Sequence, residues 1–118
     1  MNLKEFQTEV VAWSDYNFGE SRGIDAAKDR LLGVQEEVGE LSHAILKLTQ
    51  GIRMGEDHIG NAKDAVGDIM IYLADFCGKM GFCLDTCITD AWNLVKQRNW
   101  KDNPITGKTD TAEGSIGY

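Results

Sequence analysis

The sequence predicts an all-α protein of four helices, and three observations carry that prediction. Its one proline stands at position 104, so nothing in the first hundred residues forbids a helix. Alternating β-branched stretches are scarce, which argues against strands. Apolar residues recur instead at spacings of three and four along four segments separated by glycine-containing breaks.

The first helix is expected from about Leu3 to Tyr16, with Phe6, Val10, Val11 and Trp13 as its inner stripe, before "NFGESRG" breaks it. A second begins near Ile24 or Asp25, where Asp25 can act as N-cap, and ends at Gln50 before Gly51. Its apolar positions are Leu31, Val34, Val38, Leu41, Ala44, Ile45 and Leu48. "GIRMGEDHIG" reads as a loop. The third helix spans about Asn61 to Met80 and turns Ala62, Ala65, Val66, Ile69, Leu73 and Phe76 inward; "GKMGF" ends it. The fourth runs from about Leu84 to Arg98 with Ile88, Ala91, Trp92 and Val95 on its apolar side. Residues 101–118 have little to bury and read as a flexible or partner-docked tail behind a helical domain of residues 1–100.

At 118 residues and 42% hydrophobic content the chain suffices for one real core. Nineteen acidic against twelve basic residues give a net charge of −7, which disfavours nucleic acid and anionic membranes as partners. The N-terminus has neither a secretory signal nor a membrane span, so a cytoplasmic protein is expected. Cys77, Cys83 and Cys87 show no metal-type spacing and read as reduced thiols packed in a helical core.

The chemistry concentrates in acids. On a helical wheel with Glu36 at zero, Glu40 falls at about 40° and Glu37 at about 100°, while Leu48 and Leu41 lie at about 120° and 140°. Glu37 therefore borders the apolar seam, where a carboxylate is costly unless something neutralises it. The third helix adds Asp64, Asp68 and Asp75, which share one stripe. A solvated outer face would also explain that stripe, but an antiparallel pairing of the two helices brings Glu37 and Glu40 opposite Asp64 and Asp68. Gly39 and Gly67 would let the backbones approach there. Oxygen-only ligands of this kind suit Mg²⁺ or Mn²⁺ rather than zinc, since His43 and His58 stand alone. Neither a nucleophile–base pair nor a GxxxxGK[ST] phosphate loop is present.

"EEVGEL" on one helix and "DAVGDIMIYLAD" on the next resemble the EExxE and ExxD elements of the MazG-like all-α nucleotide pyrophosphohydrolases. The flanks "VVAWSDYNFG" and "WNLVKQRNW" are similar to segments of small single-domain members, so the resemblance covers about residues 5 to 100. It implies a four-helix bundle of the all-α NTP pyrophosphatase type, assembled as a homodimer or homotetramer. The implied reaction is Mg²⁺-dependent hydrolysis of nucleoside or deoxynucleoside triphosphates to monophosphate and pyrophosphate, in nucleotide-pool cleaning. Carried over by position, Glu36, Glu37 and Glu40 match the first element and Asp68 the last acid of the second. The first acid of ExxD falls on Ala65, and Asp64 lies one residue earlier.

The expected metal ligands are Glu37, Glu40, Asp68 and Asp64, with Glu36 or Glu37 accepting a proton from the attacking water. Lys47, Lys96 and Arg98 are phosphate candidates or plain surface charge, as is Arg53 in the loop. Trp13 and Asn17 would hold a base in the family's manner, although Trp13 on an apolar stripe also suits a core; Tyr72 lies one turn beyond Asp68. Two other classes stay open: a non-catalytic nucleotide- or metal-binding oligomerisation or regulatory module, and a purely structural acidic bundle.

Overall fold

In the computed structural model, described over residues 1–109, the chain is helical and no strand occurs among the described residues. The helices are α1 (Leu3–Phe18), α2 (Ile24–Gln50), α3 (His58–Met80) and α4 (Leu84–Val95). None is long and apolar enough to cross a membrane. The chain divides into two compact units, Met1–Leu84 and the segment from Asp85 onward.

Local chemistry sets the helix ends. Asn2 caps α1 by accepting from the Glu5 N–H at 2.9 Å. At α2 the N-cap is Gly23 rather than Asp25, and no side chain caps it; the Gly23 N–H is instead bound by the Lys79 carbonyl at 2.8 Å. Helix α3 starts three residues before the expected Asn61, because Asp57 accepts from the Gly60 N–H at 2.9 Å and closes a first turn that the glycines of the loop left unsuspected. Gly51 and Gly81 end α2 and α3 in the left-handed conformation, at φ of 68° and 75°. Helix α4 stops at Val95, short of Arg98.

Within the first unit α3 packs on both α1 and α2. The contacts Arg30–Asp75 and Gly33–Tyr72 descend on one helix as they rise on the other, so α2 and α3 are antiparallel. Helix α1 meets α3 in the same sense through Val11–Gly78 and Ser14–Asp75. Gln7 ties the far end: its Nε2 donates to the Phe82 carbonyl and its Oε1 accepts from the Leu84 N–H, both at 2.8 Å. Val10, Ala74, Cys77 and Leu84 form the buried core, with Leu3, Phe6, Met70 and Phe76 packed against it.

The burial pattern corrects several expectations. Small residues occupy the α2 positions facing α3, namely Ala27, Gly33 and Ala44, together with Glu37; Leu31, Val38 and Ile45 are exposed on the single chain, as is Val66 of α3. Close helix approach explains this, because a large side chain at those positions would push α2 off α3. The glycine responsible is Gly33, where a Cβ would overlap the Tyr72 ring, whereas a Cβ on Gly39 or Gly67 meets nothing within 4 Å. Cys77 is buried, but Cys83 and Cys87 are exposed. Trp13 is 55% exposed and belongs to a cleft wall rather than to the core.

In the second unit Ile88, Trp92 and Val95 of α4 are exposed. Beyond it the chain folds on itself: the Asn99 N–H reaches the Gly107 carbonyl at 2.7 Å, and Gly107 sits so close to Trp100 that a Cβ would crowd the indole. Positions 110–118, the end of the expected tail, lie outside the described residues.

Candidate functional site

Three glutamates within one helical turn place carboxylate oxygens together whatever the rest of the fold does, since i and i+4 share a face and i+1 borders it. Glu36, Glu37 and Glu40 each contribute an oxygen, all within 4.8 Å of one another. Glu36 and Glu40 are exposed, but Glu37 is only 8% exposed because it lies on the α2 face that meets α3. Burial pushes its carboxyl above the usual carboxylate range, and the charges of Glu40, Asp68 and Glu36 push it the same way. Its Oε2 is buried and has no hydrogen-bond partner. An unmet buried carboxylate oxygen among like charges is a costly arrangement that a hard cation relieves.

Two clefts adjoin this cluster and share Asp68. The larger, of about 460 Å³, has Asp29, Arg30, Glu37, Asp68 and Asp75 as polar lining and Trp13, Phe18, Tyr72, Ile71 and Val10 as apolar walls. The smaller, of about 360 Å³, is bordered by Glu40, Asp64, Asp68, His43, Asn61 and Ala65. The structure thus brings Glu36, Glu37, Glu40, Asp64 and Asp68 to one region of the α2–α3 hairpin and sets Trp13 and Tyr72 beside it. Ala65 is buried at the helix interface, while Asp64 is exposed and borders the smaller cleft.

Other candidates are placed elsewhere. Asn17 borders neither cleft and donates its amide to the Trp13 carbonyl at 2.8 Å, bonding that locks it along its own helix. Lys47 reaches Gln50 at 3.3 Å. Arg53 is exposed, with φ of 51°. Lys96 follows α4 in the second unit, as does Arg98, whose guanidinium stands 5.7 Å from the Trp100 ring centre. His58 is buried, with Nε2 3.0 Å from the Ile52 carbonyl oxygen.

Sequence reasoning left out the charged network at the end of the larger cleft opposite the glutamates. Asp75, on the acidic stripe of α3, is 5% exposed, so a solvated outer face does not describe it. Its Oδ2 accepts from the Ser14 hydroxyl at 2.7 Å and from the Arg30 Nε. Lys79, 1% exposed, donates to Asp15 at 3.2 Å and stands 3.8 Å from Asp75 Oδ1. Arg22 grips Asp15 through two bonds of 2.8 Å and, with Lys79, holds that carboxyl well below its ordinary range despite the opposing effect of burial; the Arg22 guanidinium is raised in return. Two signals pointed here: Asp75 lies seven residues beyond Asp68, and Arg30 seven before Glu37, so each shares a face with a cluster acid. No known family's model matches the chain, and neither a curated protein nor a solved structure does.

Proposed function

We propose that the chain is a metal-dependent nucleotide pyrophosphohydrolase of the MazG-like kind, converting nucleoside or deoxynucleoside triphosphates to monophosphates and pyrophosphate in the cytoplasmic nucleotide pool. The observation that carries this reading is Glu37: a buried carboxylate, one oxygen unpaired, between other acids at the polar end of an aromatic cleft. Glu37, Glu40 and Asp68 would hold Mg²⁺ or Mn²⁺, with Glu36 and Asp64 at the edges. The all-oxygen donor set suits these ions. Such an ion, when bound, neutralises phosphate oxygens and orients a water for attack on phosphorus.

The protein's own groups supply the rest. A carboxylate oxygen of Glu36 or Glu37 accepts the proton of the attacking water. Trp13 and Tyr72 offer flat apolar surface against which a base packs, and the low polarity of that wall strengthens every charge interaction at the acidic end. The exposed Leu31, Leu32, Val38, Ile45 and Leu46 of α2 support assembly as a homodimer or homotetramer.

A panel of triphosphates with Mg²⁺ and pyrophosphate detection tests the reading. Release of pyrophosphate with monophosphate is expected; orthophosphate, or no product, would overturn it. One observation favours a second reading, a nucleotide- or metal-binding module without turnover: Ala65 stands where the resemblance expects an acid, and its buried methyl cannot bind an ion. Thermal stabilisation by Mg²⁺ and nucleotide without product would support that reading instead.

A further inference from the structure

We infer that the face of α2 turned away from α3 is the contact between two copies of this chain, and that the two helices lie antiparallel about a two-fold axis passing between Val38 and Gly39. This rests on the proposed assembly and adds its surface and its symmetry. The starting point is a gap in the charge pattern. On the wheel with Glu36 at zero, Gly33, Ala44 and Glu37, which face α3, lie at about 60–100°, and the opposite face is centred near 260°. From residue 31 to residue 49 that face holds no ionisable side chain. Its apolar members are Leu31, Leu32, Val38, Ile45 and Leu46, and Gln35, Gly39, Ser42 and Thr49 lie among them. Each is exposed, Leu32 by 66% and Leu46 by 50%. In a chain of which 26% of residues are charged, an uncharged apolar face of this length marks a contact surface.

The order of those residues points to a second copy as the occupant. Leu31, Leu32 and Gln35 lead to the Val38–Gly39 centre from one end, and Leu46, Ile45 and Ser42 lead to it from the other at the same spacings. An antiparallel two-fold therefore brings Leu31 level with Leu46 of the second copy, Leu32 with Ile45, Gln35 with Ser42 and Val38 with Gly39. Large apolar residues meet large apolar residues, polar meets polar, and the bulk of Val38 stands beside the space at Gly39. A parallel pair would set Val38 beside Val38, leave a void between the two Gly39 positions and align the helix dipoles unfavourably.

The same pairing accounts for Gly39. Glycine weakens a helix interior, and a Cβ at this position would meet nothing within 4 Å, so no contact inside the chain calls for it. A second helix at close approach does. The face from Leu31 to Leu46 is about 22 Å long and offers on the order of 600 Å² per copy, the lower range of stable interfaces. Glu36, Glu37 and Glu40 lie off it, at about 0–100°, so pairing leaves the acidic turn open.

Sedimentation velocity of the full chain over a concentration series reads the assembly, and disulfide trapping reads its geometry. The wild type is expected to sediment as a dimer or larger, and the double variant Leu32→Lys, Leu46→Lys to lose affinity between copies by about tenfold or more. Trapping uses Gln35→Cys with Ser42→Cys in a background of Cys83→Ser and Cys87→Ser. Seven residues apart on one helix, the two positions stand about 10 Å from each other, too far for a bond within a chain. Across the axis they come level, so a covalent dimer is expected on oxidation with diamide, and none from Gln35→Cys alone. Efficient trapping of Gln35→Cys alone would mark a parallel pair and overturn the inference, as would a failure of the double cysteine variant to cross-link. If that variant does not fold, Gly39→Leu decides: it is expected to keep the fold and weaken the pairing, and unchanged pairing would overturn the inference. A dimer indifferent to the lysine substitutions would keep the assembly but place it on another face, against this inference. A wild type that stays monomeric would remove assembly and inference together, and pyrophosphate release, measured separately, would still judge the hydrolase reading.

Discussion

The ring of Tyr72 on α3 packs against the backbone of Gly33 on α2, and a single β-carbon at position 33 would overlap it. This contact sets how closely the two acid-bearing helices approach, and it holds an aromatic wall of the larger cleft in place. Gly33→Ala is therefore expected to push Tyr72 away, at about 1–3 kcal/mol of stability by overpacking. A larger relative loss in kcat/KM than in thermal stability would show that the wall matters to the ligand. An unchanged melting temperature would contradict the packing argument.

Glu37 lies across the hairpin from Asp68, and its raised carboxyl has a thermodynamic consequence. Because the folded value exceeds the unfolded one, this group's contribution to stability is complete below the ordinary carboxylate range and declines as pH rises through the raised value. Metal-free protein is thus expected to lose stability from about pH 4.5 upward, the ordinary value being 4.5. Glu37→Gln should remove that decline, leave the metal-free protein more stable than the wild type at neutral pH and abolish both turnover and stabilisation by Mg²⁺. Thermal melts across pH, with and without Mg²⁺, check all three.

Glu40→Gln and Asp68→Asn are expected to abolish turnover with helicity intact, because both side chains are exposed and neither builds the core. Circular dichroism beside a pyrophosphate assay decides it; full activity in either variant removes that residue from the metal site.

Asp15 behaves in the opposite sense to Glu37. Arg22 first, then Lys79, depress its carboxyl below the ordinary 3.8, so its contribution is present above that value and is lost as pH falls toward the folded one. Urea midpoints between pH 5 and pH 2 should fall more steeply for the wild type than for Asp15→Asn. Parallel acid limbs would refute the pairing.

Lys79 carries the only ammonium among the fully buried side chains described, held between Asp15 and Asp75. Lys79→Met leaves two acids short of their shared cation and is expected to cost about 3–5 kcal/mol, read from denaturant midpoints. A smaller loss in the double variant with Asp15→Asn would confirm that the penalty comes from the stranded charge.

By itself the sequence determined the four helices and the grouping of Glu36, Glu37 and Glu40, because periodicity, glycine ends and the helical pitch act within one segment. It also placed Glu37 at the edge of the apolar seam, since its angle to Leu41 and Leu48 follows from the pitch alone. Only the tertiary structure decided what each face meets. Nothing local distinguishes Gly33 from Gly39 and Gly67 as the point of close approach, and nothing local names Arg30, Ser14 and Lys79 as the partners of Asp75. Pitch sets the direction of a side chain about its own axis, whereas the rotation and register of the neighbouring helix come from packing small residues against large ones, as at Gly33 with Tyr72 and Gly78 with Val11. The acids were legible as a cluster; the cleft beside them, and the charges that close its far end, exist only once three helices share that register.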